Sequence, residues 1–262
     1  MIKYPNILKK ILRSPSIINF LNIFLLKYLK LKKIHPSDFP GPGRFFMSSP
    51  EDIFIFSYVR SGNVWLRFLI ANLIFEKEEI NLSNANDYIG ELATTNEKKL
   101  LKQKKPRIYC GHDYFDPRFK KVIYLIRDPR DVLASLYPFY ISIGIISKNY
   151  SKSKFLKEYF KGEFNANFGS WNENVGSWIG ANNEKIVMII KYEDLKKNIF
   201  IEAKKICKFL KIKKTRKQIN IAIKKSGVFR GEVGIWKKFF SNKQAREIKK
   251  NWKTNMKRLG YY

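Results

Sequence analysis

The sequence predicts an α/β fold in which helices flank a central parallel sheet, and two observations support this. Residues 53–56 and 122–126 are uninterrupted runs of β-branched, aromatic and aliphatic residues, as expected of strands buried on both faces of a parallel sheet. Each run leads through a short polar loop into a segment whose apolar residues recur at helical spacing. This repeated order of strand, loop and helix is typical of the fold class.

The composition indicates a globular domain with a short extension. The chain has 262 residues, of which 45% are hydrophobic, enough to bury a substantial core. Residues 35–50 are rich in proline, glycine and serine, as is typical of a linker. We therefore expect an extension over residues 1–50 and one main domain over residues 51–262. The two cysteines are too few for a disulfide framework, which favours a cytoplasmic location.

The chain carries a formal charge of +30 from 52 basic and 22 acidic residues. This excess favours anionic partners, although a lysine- and asparagine-rich composition also reflects coding bias. No recognisable nucleic-acid-reading module is present, so we expect no specific nucleic-acid partner. Residues 16–27 are apolar but too short to span a bilayer. Residues 1–33 are predicted either to contact an anionic membrane surface or to pack on the protein core.

The loop after the first predicted strand is a candidate anion site. Residues 58–65 read YVRSGNVW, and the small Ser61 and Gly62 leave room for a ligand against the first unpaired N–H groups of the following helix. Arg60 adds a permanent charge and Asn63 a polar side chain. The pattern GxxxxGK[ST] is not satisfied, which disfavours a magnesium-dependent nucleotide hydrolase. The alternative interpretation is a simple turn between strand and helix.

A second candidate anion site follows the second predicted strand. Arg127 stands at its carboxyl end, Asp128 and Pro129 begin a helix, and Ser135 lies within that helix. Open parallel sheets bind ligands beyond the carboxyl ends of their strands. Arg127 and the loop of Arg60 are therefore expected to face one crevice, which predicts a ligand with two anionic groups.

Three separated segments, taken together, resemble the sulfotransferase family. Residues 58–65 resemble its 5′-phosphosulfate loop, YPKSGTTW, and residues 126–135, IRDPRDVLAS, are similar to its 3′-phosphate motif. Residues 229–237, FRGEVGIWK, resemble its RKGxxGDWK segment. The resemblance covers about residues 53–240 and implies a three-layer, P-loop-like fold. It also implies 3′-phosphoadenosine 5′-phosphosulfate as donor, adenosine 3′,5′-bisphosphate as product and no metal.

The resemblance also implies roles for individual residues. His112 matches the histidine of the family's KTH segment and is the candidate general base, with a structural hydrogen-bonding role as the alternative. Arg60 is the candidate electrostatic catalyst, because a guanidinium stays charged at neutral pH. Trp65 is expected either to stack on adenine or to be buried under the helix. The nucleotide-binding set is Arg60, Ser61, Gly62, Asn63, Val64, Trp65, Arg127, Ser135, Tyr192, Arg230 and Gly231.

Several positions depart from the family pattern. Cys110 stands where many members have a lysine, and Val64 replaces a hydroxyl residue of the donor loop. Phe229 stands in place of a basic residue and Ile235 in place of an acidic one. Because of Val64, we expect the side chain of Asn63 and the backbone to carry more of the donor binding.

The acceptor is less clearly indicated. Residues 142–181 are rich in aromatic and asparagine residues, which would either line a sugar site or form core and turns. The leading hypothesis is in-line transfer of a sulfonate group to a hydroxyl acceptor, with a carbohydrate as one candidate. The alternatives are a noncatalytic nucleotide- or polyanion-binding protein on the same fold and, less favoured, a small-molecule kinase. The sequence leaves the oligomeric state open.

Overall fold

Five parallel strands form the sheet of the computed structural model, which describes residues 49–81, 83–93, 95, 97–165, 168–181, 184–227 and 231–262. The strands are β1 Ile53–Ser57, β2 Ile89–Glu91, β3 Ile108–Gly111, β4 Val122–Ile126 and β5 Val187–Lys191. Their order across the sheet is β2-β3-β1-β4-β5. The strand β1, which leads into the first candidate anion loop, therefore lies at the centre of the sheet.

Helices connect the strands and cover both faces of the sheet. They are α1 Asn63–Ile74, α2 Ala85–Tyr88, α3 Glu97–Leu101, α4 Pro129–Ser142, α5 Lys152–Phe160, α6 Trp171–Gly180, α7 Tyr192–Lys197, α8 Ile199–Leu210, α9 Arg216–Lys225, α10 Trp236–Phe239, α11 Asn242–Asn251 and α12 Lys253–Arg258. None of the helices in the described ranges is both long and apolar enough to cross a bilayer. The predicted extension lies outside those ranges up to residue 48.

The structure confirms the two strands and the helices predicted to follow them. The strand β1 extends one residue beyond the predicted run, to Ser57, and β4 spans the predicted residues 122–126. The helix α4 begins at Pro129, and the side chain of its N-cap residue Asp128 accepts a hydrogen bond from the N–H of Arg130. Proline suits this position because its missing N–H would have no partner inside the helix.

Two hydrophobic layers pack on opposite faces of the sheet. Alternation along β1 sends Phe54 and Phe56 into one layer, and Ile53 and Ile55 into the other. All five residues of β1 and all five of β4 are buried. The fold therefore has the three predicted layers, with the sheet between two layers of helices. The buried strands β1 and β4 support the loops at their carboxyl ends.

The aromatic residues between positions 142 and 181 serve mainly the core. Phe155, Tyr159, Trp171 and Trp178 are each at most 1% exposed. The ring of Trp178 stacks on Tyr124 of β4, with 4.8 Å between ring centroids. A sugar-stacking role is therefore wrong for these four side chains, and the core interpretation is correct for them.

A buried ion pair ties the starts of two neighbouring strands together. Arg107, just before β3, donates from Nε and Nη2 to the two carboxylate oxygens of Asp52, just before β1, both at 2.8 Å. Their side chains are 9% and 2% exposed. Removing one partner would leave the other charge buried and uncompensated.

We predict that Asp52→Ala lowers the free energy of unfolding by about 3–5 kcal/mol, because the Arg107 guanidinium loses its carboxylate inside the protein. Urea denaturation followed by circular dichroism measures the change. Glu78→Ala is the matched control, since Glu78 pairs with Lys104 at the exposed surface and such pairs contribute little. Equal effects of the two substitutions would contradict the prediction.

Candidate active site

The loop between β1 and α1 presents several backbone N–H groups at one place. The N–H of Ser61 donates to the Tyr58 carbonyl at 3.2 Å, and the N–H groups of Trp65 and Leu66 donate to the Gly62 carbonyl at 3.1 and 3.3 Å. No acceptor within the described ranges takes the N–H groups at positions 62–64. They stand at the positive end of the α1 dipole, so the loop suits an anionic group.

Two side-chain features of the loop fit a bound anion. Ser61 is fully buried, and within the described part of the chain its hydroxyl has no hydrogen-bond partner. Gly62 has a φ of 102°, and a Cβ at this position would lie 2.7 Å from the ring of Tyr192. The loop therefore combines an unsatisfied buried hydroxyl, which a ligand oxygen would satisfy, with a backbone path that only glycine follows easily.

Asn63 and Trp65 turn inward from the loop. The Asn63 amide donates to Ser57 Oγ at 3.2 Å and to the Ile55 carbonyl at 3.4 Å. The expectation that this amide faces the donor is therefore wrong, and only the backbone N–H of Asn63 faces the loop. Trp65 is 1% exposed and packs edge-on against Tyr192. The structure thus supports the buried alternative for Trp65.

Arg127 lies at the centre of the second anion site. Its guanidinium donates from Nη1 to the Arg60 carbonyl at 3.3 Å and from Nη2 to the Glu232 carbonyl at 2.7 Å. It also lies over the ring of Tyr192, 4.4 Å from the centroid. The Nε of Arg127 is buried and has no acceptor within the described ranges. The Arg127 guanidinium therefore connects three segments: the loop between β1 and α1, the helix α7 and the C-terminal loop. Its Nε–H group remains available to a ligand.

Asp131 holds the C-terminal loop in place beside Arg127. Its carboxylate accepts hydrogen bonds from the N–H groups of Gly234 at 2.7 Å and Trp236 at 3.0 Å, and lies 3.9 Å from Arg127 Nη2. Burial raises the pKa of this carboxyl, while the two N–H donors and Arg127 oppose that rise. This positioning role of Asp131 was not predicted from the sequence, because its hydrogen-bond donors are backbone groups more than 100 positions away.

Arg60 lies next to Arg127 and reaches the second anion site. Its Nε donates to Ser135 Oγ at 3.1 Å, and its guanidinium carbon lies 4.7 Å from the centroid of the Phe139 ring. Desolvation and the positive charge of Arg127 lower the pKa of Arg60. Two neighbouring arginines repel each other, and an anion between them would relieve that repulsion. The side chain thus faces the predicted 3′-phosphate side, and a role at the sulfonate would need another rotamer.

The C-terminal segment completes this side of the crevice as far as it is described. The Gly231 carbonyl accepts a hydrogen bond from the Tyr192 hydroxyl at 2.7 Å. A Cβ at Gly231 would lie 3.7 Å from both terminal nitrogens of Arg127. Arg230, predicted to contact the nucleotide, lies outside the described residues, as does Phe229. The structure therefore brings Tyr192 and Gly231 to the predicted site.

His112 lies just beyond β3, next to the end of β1. Its Nδ1 lies 2.7 Å from the Ser57 carbonyl oxygen. Because a carbonyl can only accept, Nδ1 carries the proton and Nε2 of the neutral ring keeps its lone pair. Desolvation lowers the pKa of His112, and the hydrogen bond to Ser57 partly offsets this. The ring is therefore oriented and uncharged, as a general base must be.

Buried and half-buried side chains support the histidine from α6 and its preceding loop. The Asn174 amide donates to the carbonyls of His112 at 2.9 Å and Phe168 at 3.2 Å, and its oxygen accepts from the Tyr124 hydroxyl at 2.6 Å. Asn174 is thus a positioning residue rather than a ligand for acceptor hydroxyls. The half-buried Phe168 ring lies edge-on to the His112 ring, with 6.0 Å between centroids.

We predict that Gly62→Ala weakens the binding of adenosine 3′,5′-bisphosphate by about tenfold or more, because the new Cβ would displace Tyr192 and strain the loop. Isothermal calorimetry measures the affinity. Gly162→Ala is the matched control: Gly162 also has a positive φ, but a Cβ there meets nothing closer than 3.4 Å. Unchanged affinity in Gly62→Ala, or an equal loss in the control, would refute the prediction.

Comparison with known proteins agrees with this geometry. A family model described as the sulfotransferase domain matches residues 50–228. A 3-beta-hydroxysteroid sulfotransferase of Cavia porcellus is 28% identical over 248 residues, which cover 80% of this chain and 85% of that protein. Sulfotransferase 2A2 of Rattus norvegicus is 31% identical over 195 residues, which cover 69% of this chain and 66% of that protein.

The fold also matches a solved structure. The mouse sulfotransferase SULT7A1, crystallised in complex with PAP, is 25% identical and aligns with a TM-score of 0.65 over 80% of this chain and 85% of its own. The three-layer, P-loop-like fold, the enzyme class and 3′-phosphoadenosine 5′-phosphosulfate as the sulfonate donor are thereby confirmed.

No group of three or more potential metal ligands occurs within the described ranges. Because the family model covers well over half of its length, the chain belongs to the sulfotransferase domain family.

Proposed function

We propose that this sulfotransferase moves a sulfonate group to an acceptor hydroxyl with His112 as the general base. The observation that carries the proposal is the orientation of the His112 ring, whose Nδ1 is bound to the Ser57 carbonyl at 2.7 Å. The Nε2 lone pair is then free to receive a proton from an alcohol. The sulfotransferase relatives and the donor loop beside β1 support the same assignment.

The donor would span the two anion sites. The N–H groups at positions 62–64 and the Ser61 hydroxyl suit the 5′-phosphosulfate, since they surround the start of α1. Arg127 and Ser135 suit the 3′-phosphate, because an arginine and a hydroxyl give a fixed set of donors there. The Arg60 side chain adds positive charge on the 3′-phosphate side, where its Nε is bonded to Ser135 Oγ, and it would need another rotamer to reach the 5′-phosphosulfate. The proposed contact of Trp65 with adenine would require the ring to move out of its buried position.

The proposed reaction is a single in-line displacement. The acceptor oxygen forms a bond to sulfur while the bond between sulfur and the 5′-phosphate oxygen breaks. The alcohol proton passes to His112 Nε2, and the electron pair leaves with the phosphate, which becomes the 5′-phosphate of adenosine 3′,5′-bisphosphate. Charge therefore grows on the leaving phosphate, where the start of α1 would stabilise it. Arg60 would add to this stabilisation after a change of rotamer.

Fewer observations bear on the class of acceptor than on the donor. The relatives above include a hydroxysteroid sulfotransferase, and a carbohydrate is the other candidate acceptor. Both carry hydroxyl groups that His112 could deprotonate. Incubation with donor labelled in the sulfonate group, followed by separation of labelled products, distinguishes a transferase from a protein that only binds nucleotide. Donor-product binding without transfer to any acceptor would favour the noncatalytic alternative.

We predict that His112→Ala lowers kcat by about 10²–10⁴-fold, because the general base is removed while the donor site is left intact. Labelled transfer measures the rate, and calorimetry with adenosine 3′,5′-bisphosphate should show unchanged affinity. His35→Ala is the control, since His35 is the second of the two histidines and lies in the predicted linker. A His112→Ala enzyme with the wild-type rate would exclude His112 as the base.

We also predict that kcat/KM falls on the acid side with a midpoint below pH 6.5. His112 acts only in its neutral form, and its folded pKa is lowered from the ordinary value of 6.5. Neutral imidazole therefore persists to lower pH than in a free histidine, and activity is lost only as pH falls through the lowered value. A pH profile of transfer tests this, and an acid-side midpoint above pH 7 would contradict it.

A further inference from the structure

A guanidinium and a carboxylate flank the strand that leads to His112, and neither forms a salt bridge with a described residue. Arg67 on α1 donates from Nη1 to Cys110 Sγ at 3.3 Å, and its buried Nε has no acceptor within the described ranges. Glu91, the last residue of β2, is half-buried. No hydrogen bond or salt bridge of its carboxylate occurs within those ranges either.

The sheet register places these groups together. Glu91 is paired with Cys110 in the parallel ladder of β2 and β3, so their side chains lie on the same face of the sheet. Cys110 contacts Arg67 on that face, and His112 follows two positions later. The charges of both residues affect the pKa of His112, as expected if they lie near it: Glu91 raises this pKa and Arg67 lowers it. Asp113, next in the chain, also raises it. The charged pair is therefore near the base.

Among the described residues, Arg67 and Glu91 have few hydrogen-bond partners. A thiol is a weak hydrogen-bond acceptor, and burial raises the pKa of Cys110 to about 11. The thiol thus stays protonated at neutral pH and does not neutralise Arg67. Arg67 and Glu91 are not joined by a salt bridge, although the register and the contact with Cys110 place them on the same face of the sheet. Two partly buried charges of opposite sign that do not pair with each other are stabilised by a polar ligand that bonds to both.

We propose that Arg67 and Glu91 recognise a polyhydroxylated acceptor. One hydroxyl next to the reacting one accepts a hydrogen bond from Arg67, and another donates to Glu91, while His112 takes the proton of the reacting hydroxyl. An apolar alcohol with a single hydroxyl offers neither bond and leaves both charges unsatisfied. This inference rests on the proposed function, because it names the acceptor class of the same site.

The test compares two acceptor types in variants of the pair. Methyl glycosides of glucose, galactose and mannose serve as polyhydroxylated acceptors and cyclohexanol as the single-hydroxyl acceptor. The variants are Arg67→Ala, Arg67→Lys, Glu91→Gln and the double variant Arg67→Ala with Glu91→Gln. Rates are measured at pH 8, well above the ordinary histidine pKa of 6.5, so that a change in the His112 pKa has little effect on the comparison. Arg246→Ala and Glu247→Gln on α11 are the matched charge-loss controls.

We expect Arg67→Ala and Glu91→Gln each to raise KM for a methyl glycoside by about tenfold or more, with little change in kcat, because a hydrogen bond to a charged group is lost. Arg67→Lys should retain part of the affinity. The rate with cyclohexanol and the binding of adenosine 3′,5′-bisphosphate should stay at wild-type values. In the double variant the loss should be smaller than the product of the single losses, since both residues bind one ligand.

Each contrary result overturns a defined part of the account. Wild-type transfer to cyclohexanol with no transfer to any glycoside overturns the acceptor inference alone, as does an equal loss for both acceptor types in Arg67→Ala. A KM change in the α11 controls equal to that in the pair variants also overturns it. Donor-product binding with no transfer to either acceptor type overturns the proposed function and this inference with it.

Discussion

The structure of the site depends on one buried cation, Arg127. A guanidinium placed inside a protein must find acceptors for its donors, and Arg127 finds the carbonyls of Arg60 and Glu232. Its flat face lies over Tyr192, and Asp131 lies beside it while bonding to the N–H groups of the C-terminal loop. Segments more than 170 positions apart in the sequence are therefore held around a single charge.

The two sides of the crevice differ in electrostatic character. On the donor side, Arg60 and Arg127 repel each other, and the start of α1 adds further positive potential. On the side of His112, desolvation lowers the pKa of the ring, although the hydrogen bond to Ser57 and the charge of Glu91 oppose it. In the proposed mechanism, one side stabilises negative charge and the other accepts a proton. Sulfonate transfer to an alcohol requires both at once.

The sequence was sufficient to predict the central strands and the helices that follow them, because parallel strands buried on both faces leave long apolar runs. Side-chain directions were harder to predict. Asn63 turned away from the loop because a tertiary contact with Ser57 competes for its amide. Asp131 and Asn174 hold the site in place through hydrogen bonds to backbone groups of distant segments. The hydrogen bond from Arg67 to Cys110 depends on the packing of α1 against β3. None of these contacts has a local sequence signal.

The central claim is that one nucleotide occupies two anion sites joined by Arg127. Calorimetry with adenosine 3′,5′-bisphosphate and adenosine 5′-monophosphate, on wild-type protein and on Arg127→Lys and Arg127→Ala, tests it directly. In the wild type we expect the 3′-phosphate to improve affinity by about 10–100-fold. That improvement should shrink in Arg127→Lys and nearly vanish in Arg127→Ala. The affinity for the monophosphate should fall less, because Arg127 reaches the 5′ site only through the loop that it holds. An equal improvement in all three proteins would contradict the account.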